Sequence, residues 1–199
     1  EPGELLSSIV ESNRLSQFSA SDQKRIFKDL ISAVSYCHDS QTVVRCFSPE
    51  DIWIWSSSTI RKDGTIKREF HAKLLDLAFA VELSHKESTT WSNHPAYDWS
   101  LDPYVSPEIL LNDDIQFQND VWTLGIILHV LIIGESPFQK EDCVDRDFYL
   151  DRVQRKEYFG ENESLWLSKN GEPVLQVVSS CLELDPMARP KLSAMRRFS

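Results

Sequence analysis

The sequence predicts a mainly α-helical domain with a small β-hairpin region, and three stretches support this fold class. Between Ile26 and Cys37, apolar residues recur every three or four positions, which is typical of a helix with one buried face. The run VWTLGIILHVLII is apolar nearly all round and predicts a helix that is surrounded by other helices. Asp63-Gly64, between the strand-like segments TIR and TIK, predicts the turn of a hairpin.

Taken in order, the first forty residues contain two helical patterns separated by a polar break, and Ser19 or Ser21 is placed to cap the second helix. The segment IWIW alternates large side chains and predicts a strand that leads into the hairpin. After the apolar helix, residues 139–199 are more polar and are predicted to be helical. The whole chain, 1–199, is interpreted as one domain.

The composition limits the partners of the chain. With 199 residues, 41% of them hydrophobic, the chain can bury one substantial core. A formal net charge of -10 without a segregated basic patch predicts that neither nucleic acid nor an anionic membrane is a partner. The four cysteines lack metal-ligand or disulfide-scaffold spacing, and no apolar run is long enough to span a bilayer. We therefore expect a soluble intracellular protein of the cytoplasm or nucleus.

Five motifs follow one another along the chain: VVRCFSPEDIWIW, LDLA, VSPE, NDVWTLG and LDPMARP. In this order they resemble the C-terminal lobe of the protein-kinase family, and the YCH before the first motif is similar to the calmodulin-dependent and AMP-activated serine/threonine branches. The resemblance implies a kinase-like C-terminal lobe, with an activation-segment-like stretch at 76–108. No glycine-rich loop or strand lysine is present, so the N-terminal lobe is expected to be absent.

The resemblance also implies roles for individual positions, and several of them carry altered residues. Cys46 stands where the family has the aspartate that accepts the substrate's proton, and Ser48 stands at the position of the loop lysine. Both catalytic positions are therefore expected to be inactive. Asp51 and Asp76 fall on the metal-holding positions and would form a residual magnesium–nucleotide site. Leu101 occupies the place of a threonine or serine that would contact the catalytic aspartate.

Four further positions match the family and are expected to be structural. Asp120 would bind the backbone of the first motif. Arg45, within that motif, matches the arginine of the family. Glu108 and Arg189 would form a buried ion pair. These roles do not depend on catalysis, so they are compatible with an inactive domain.

Three interpretations of function remain open at this point. In the first, the chain is a degenerate, pseudokinase-like domain without a cofactor, which binds a protein partner such as a missing N-terminal lobe or an active kinase. In the second, it is a fragment of an atypical but active serine/threonine kinase that uses ATP and magnesium, with Glu50 replacing the missing base. In the third, Cys46 is a nucleophile activated by His38.

Overall fold

A computed structural model describes residues 2–83, 102–111, 116–157 and 172–196. Eight α-helices lie within these residues: α1 (Leu6–Glu11), α2 (Ala20–Asp39), α3 (Pro107–Leu110), α4 (Phe117–Ile133), α5 (Lys140–Val144), α6 (Arg146–Gln154), α7 (Glu172–Cys181) and α8 (Leu192–Met195). Single 3-10 turns form at Leu15–Gln17, Pro49–Asp51 and Pro186–Ala188. None of the described helices is both long and apolar enough to cross a membrane.

Five short strands complete the described architecture: β1 (Gly3–Leu5), β2 (Thr42–Val43), β3 (Ile52–Ile60), β4 (Ile66–Leu74) and β5 (Val81–Glu82). Strands β1, β3 and β4 form an antiparallel sheet in the order β1-β3-β4, and β2 pairs with β5. The β3–β4 hairpin turns at Asp63-Gly64, as the sequence predicts. About half of the described residues are helical, so the predicted helices and the hairpin are confirmed, although the helical share is smaller than that of the predicted mainly α-helical fold.

Helix α4 lies at the centre of the core. Every residue from Asn119 to Ile132 is buried, which explains why this segment is apolar nearly all round. Gly125 faces α7 so closely that a Cβ atom there would stand 2.6 Å from Cys181 Cβ. The helix ends at Gly134, which adopts a φ of 101° and closes the helix with a hydrogen bond to Val130 O.

Helix α2 connects the core with the hairpin. Ser19 is its N-cap: the Ser19 hydroxyl accepts from the Asp22 N–H, and the Asp22 carboxylate accepts from the Ser19 N–H at 3.0 Å. Of the two predicted caps, Ser19 is therefore the correct one. The buried face of the helix, which includes Ile26, Leu30 and Val34, joins the main hydrophobic core.

Strand β1 has no counterpart in the sequence prediction. Its residues, Gly3 to Leu5, pair with Trp55 to Trp53 of β3. Three residues are too few to show an alternating pattern, so the pairing depends on β3 rather than on the local sequence.

Candidate functional site

The first motif follows β2 and is held in place by Asp120, in the first turn of α4. The backbone N–H groups of Val44 and Arg45 donate to the Asp120 carboxylate at 2.8 and 2.7 Å, and His38 Nε2 lies 2.7 Å from Asp120 Oδ2. The carboxylate is fully buried, so these bonds replace the water that it loses on folding. The loop path is consequently fixed by groups other than the side chain of residue 46.

Arg45 links this loop to the stretch that follows Asp76. Its backbone has a φ of 77°, a conformation that is unfavourable for a residue with a Cβ atom. Its buried guanidinium donates through Nε to the carbonyl of Phe79. The hydrogen bonds to Asp120 and Phe79 hold the residue in this conformation.

Cys46, at the position of the expected base, is a hydrogen-bond donor. Its Sγ lies 3.4 Å from Asp102 Oδ2. Burial raises the pKa of the Cys46 thiol well above its usual range, and the carboxylates of Asp102, Asp51 and Asp120 act in the same direction. The thiol therefore keeps its proton at neutral pH and can neither accept a proton nor act as a thiolate.

The same features disfavour the interpretation of Cys46 as an activated nucleophile. A reactive cysteine needs an environment that lowers its pKa, whereas burial and the negative charges of nearby carboxylates raise the pKa of this one. His38, the proposed activating residue, is bound to Asp120. Its ring also packs against Phe117, with the ring centroids 4.4 Å apart.

Asp102 is the residue of this candidate site that sequence reasoning missed. It is buried, and besides contacting Cys46 it accepts a hydrogen bond from the Tyr104 N–H at 2.8 Å. Glu50, which the sequence suggested as a substitute base, is exposed to solvent. Leu101, expected to face residue 46, lies outside the described residues.

Ser48 and Asp51 close the loop with a 3-10 turn. The Ser48 N–H and hydroxyl donate to Asp51 Oδ2 at 2.8 and 3.1 Å, and Ser48 Oγ accepts from the Glu50 N–H. Ser48 thus caps the 3-10 turn Pro49–Asp51, at the position where the resemblance implies a lysine. One oxygen of Asp51 is committed to this cap.

Asp76 reaches the neighbourhood of Asp51 through the hairpin, because the Leu75 N–H donates to Asp51 O at 2.8 Å. Asp76 is exposed, and its Oδ1 accepts from the Ala78 N–H at 2.7 Å. Ala78 stands where the resemblance places a glycine, and its φ is not positive, so the alanine is not strained here. Among the described residues, no group of three or more His, Cys, Asp or Glu side chains is arranged to hold a metal ion.

The ion pair between Glu108 and Arg189 is bidentate and buried. Arg189 donates to the two carboxylate oxygens at 2.6 and 2.8 Å, and Asn119 donates to Glu108 Oε1 at 2.7 Å. The guanidinium also lies 5.0 Å from the ring centroid of Trp122. This network joins the end of the candidate site to α4 and to the turn before α8.

The family model described as "Protein kinase domain" matches residues 1–197 of the chain. This chain belongs to the protein kinase family. It is 29% identical to calcium/calmodulin-dependent protein kinase type II of Caenorhabditis briggsae over 70% of the chain, and 26% identical to CBL-interacting protein kinase 1 of Oryza sativa over 98%. It is 29% identical to serine/threonine-protein kinase GIN4 of Saccharomyces cerevisiae over 96%.

The chain spans only part of these kinases: 23%, 36% and 14% of their respective lengths. The serine/threonine class expected from the motifs agrees with the name of the Saccharomyces cerevisiae relative. Within this kinase domain, the structure brings Cys46, Ser48 and Asp51 into one loop and sets Asp76 beside it through the pairing of the hairpin.

Proposed function

We propose that this kinase domain is degenerate and acts by binding a protein partner, not by transferring phosphate. The observation that carries the proposal is the contact between Cys46 and Asp102, in which a neutral thiol donates to a carboxylate at 3.4 Å. A general base must accept the proton of the substrate hydroxyl, and a thiol with a raised pKa does not. General acid–base catalysis contributes about 10² to 10⁴ in rate, so its loss is substantial.

The other altered positions support the same proposal. Phosphoryl transfer depends on charges placed around the transferred group. Ser48 brings no positive charge and is used in a cap with Asp51, while Asp76 bonds to the Ala78 N–H. When bound to a kinase, ATP and magnesium supply the phosphoryl group and neutralise its charge; in this proposal the chain needs neither.

The exposed apolar residues near Asp76 support a role in binding. Leu75 and Leu77 are 55% and 47% exposed, on both sides of the aspartate. Exposed apolar side chains beside a site whose catalytic residues are replaced are consistent with a surface that another protein covers. We propose that the chain corresponds to the C-terminal lobe of the fold, with 76–108 as its activation segment, and that the partner is an N-terminal lobe or an active kinase in the cytoplasm or nucleus.

One observation favours the second candidate, an atypical active serine/threonine kinase. The Asp102 carboxylate lies beside Cys46, so the site holds a carboxylate although residue 46 does not supply one. In this alternative Asp102 would accept the substrate's proton, and Asp51 and Asp76 would hold magnesium, which would neutralise the charge of the transferred phosphate.

A phosphate-transfer assay separates the two candidates. The chain, joined to an N-terminal kinase lobe that supplies the glycine-rich loop and the strand lysine, is incubated with magnesium, radiolabelled ATP and casein, in parallel with Asp76→Asn, Asp102→Asn and Cys46→Asp variants. We expect the natural chain to give no more labelled protein than Asp76→Asn, and Cys46→Asp to remain inactive because Ser48 is unchanged. Asp147→Asn, in an exposed part of α6, is the matched control.

Transfer by the natural chain that is lost in Asp76→Asn and Asp102→Asn, but kept in Asp147→Asn, would contradict the proposal. It would identify Asp102 as the base of an active kinase.

A further inference from the structure

Helices α5 and α6 are anchored to the core on one side. Cys143 of α5 and both Tyr149 and Val153 of α6 are buried in the main hydrophobic core. The Tyr149 ring packs edge-on against Phe138, with the ring centroids 4.9 Å apart. Because this inner side is fixed by packing, the outer side chains of the same segment are also held at fixed positions.

The outer side of this segment carries two exposed apolar side chains. Val144, the last residue of α5, and Phe148, in the first turn of α6, are 70% and 51% exposed. The Phe148 N–H donates to Asp145 Oδ1 at 3.1 Å, so the residue that follows Val144 also holds Phe148 in place. Two exposed apolar side chains this close together on a fixed segment indicate a surface that another molecule covers.

The charge beside these apolar residues is negative. Glu141 lies three positions before Val144 on α5, and therefore on the same helix face, while Asp145 is hydrogen-bonded to Phe148. Glu141 and Asp145 are both exposed, and neither forms an ion pair with a cation of the described residues. The described cationic side chains that follow Phe148 are each paired with a carboxylate, in the pairs Arg152–Asp142, Arg155–Asp151 and Lys156–Glu183.

We propose that the α5–α6 patch, which consists of Glu141, Val144, Asp145 and Phe148, binds a basic amphipathic segment of a partner protein. An apolar side chain of the partner covers Val144 and Phe148, and Lys or Arg side chains beside it bind the two carboxylates. The net charge of -10 attracts a cationic partner from a longer distance. A second copy of the chain fits less well, because two such patches would bring their carboxylates together. The inference rests on the proposed binding role and names the chemistry of one partner.

Fluorescence anisotropy with three labelled peptides tests this inference. The first peptide contains Lys and Leu, with a leucine about every three or four positions. The second has Gln in place of each Leu, and the third has Glu in place of each Lys. We expect the first peptide to bind at least about tenfold more tightly than either of the others. Its affinity should fall as salt is added, because salt screens the attraction between its lysines and the carboxylates.

Removal of an apolar side chain tests the centre of the patch. Phe148→Gln should weaken binding of the first peptide by about tenfold or more, because it removes the ring that a leucine of the peptide covers. Tyr36→Gln is the matched control: Tyr36 is 75% exposed on α2, and its replacement should alter the affinity less than about twofold. If circular dichroism shows that Phe148→Gln does not fold, Val144→Gln decides the test and should weaken binding by about threefold or more.

Glu141→Lys tests the charge of the patch. It should weaken binding of the first peptide by about threefold or more, because it puts a cation where the peptide carries lysines. Asp39→Lys, at the exposed end of α2, makes the same change in net charge and should alter the affinity less than about twofold. An equal loss in the two variants would show attraction by the net charge alone and would overturn the inference.

Two further results would contradict the inference. One is equal affinity for the first and second peptides, or wild-type affinity in both Phe148→Gln and Val144→Gln. The other is a dimer in light scattering that Phe148→Gln abolishes, since it would assign the α5–α6 patch to a second copy.

The phosphate-transfer assay gives an independent result. Failure of peptide binding in a chain that transfers no phosphate overturns only the role of the α5–α6 patch, whereas phosphate transfer overturns the proposed function whatever the peptide does.

Discussion

Cys46 stands at the position of the family's catalytic base. It changes the chemistry of its loop but not the hydrogen bonds that hold the loop in place. Asp120 binds the backbone N–H groups of residues 44 and 45, and Arg45 binds the carbonyl of Phe79. None of these bonds involves the side chain of residue 46. A cysteine is therefore accommodated without loss of these bonds, and Asp102 accepts a hydrogen bond from its S–H.

We predict that Arg189→Ala lowers the free energy of unfolding by about 3 to 5 kcal/mol, because it leaves the Glu108 carboxylate buried without its partner. Urea denaturation followed by circular dichroism measures this change. The matched control is Arg155→Ala, which breaks an exposed pair with Asp151. That control should cost less than about 1 kcal/mol.

A loss in Arg189→Ala no larger than that in Arg155→Ala would contradict the structural role given to the buried pair.

At the scale of elements, the packing of α4 against α7 depends on a close approach. A glycine in the middle of a helix normally costs about 0.5 to 1 kcal/mol relative to alanine. Gly125 is retained in α4, where a Cβ atom would stand 2.6 Å from Cys181 Cβ and 3.1 Å from Leu182 Cδ2. The glycine thus lets two buried helices meet, and its intrinsic cost is offset by their packing.

We predict that Gly125→Ala destabilises the protein by about 1 to 3 kcal/mol, because the added methyl group forces the helices apart. Thermal unfolding measures the effect. Ser32→Ala, on the exposed side of α2, should change stability by no more than about 0.5 kcal/mol. An increase in stability for Gly125→Ala, as expected for a helix without neighbours, would refute the close contact.

The hairpin shows which features of an element the sequence can reveal. Asp63-Gly64 predicts the turn because a tight hairpin favours these residues, and the turn is found there. The pairing of β1 with Trp53–Trp55 could not be predicted. That pairing joins residues about fifty positions apart and leaves no periodic pattern in the three residues of β1.

At the scale of the whole molecule, the motifs predict most of the supporting network. Asp120, Glu108 and Arg189 stand in motifs that resemble the protein-kinase family, and that resemblance implies their contacts before the fold is known. The partner of Cys46 could not be predicted. Asp102 is 56 positions away and belongs to no motif, and only the folded chain brings its carboxylate to the thiol.

The central claim is that the position of the catalytic base holds a thiol that stays protonated at neutral pH. Alkylation by iodoacetamide, followed at Cys46 by peptide mass spectrometry across a range of pH, tests this most directly. At pH 7 we expect Cys46 to react at least about tenfold more slowly than N-acetylcysteine, and its rate to keep rising at pH values where N-acetylcysteine has reached its plateau. Asp102→Asn removes a negative charge that raises the pKa, so it should speed the reaction at a given pH.

Alkylation of Cys46 at pH 7 as fast as that of N-acetylcysteine, with a rate that Asp102→Asn leaves unchanged, would show an ionised thiol and contradict the claim.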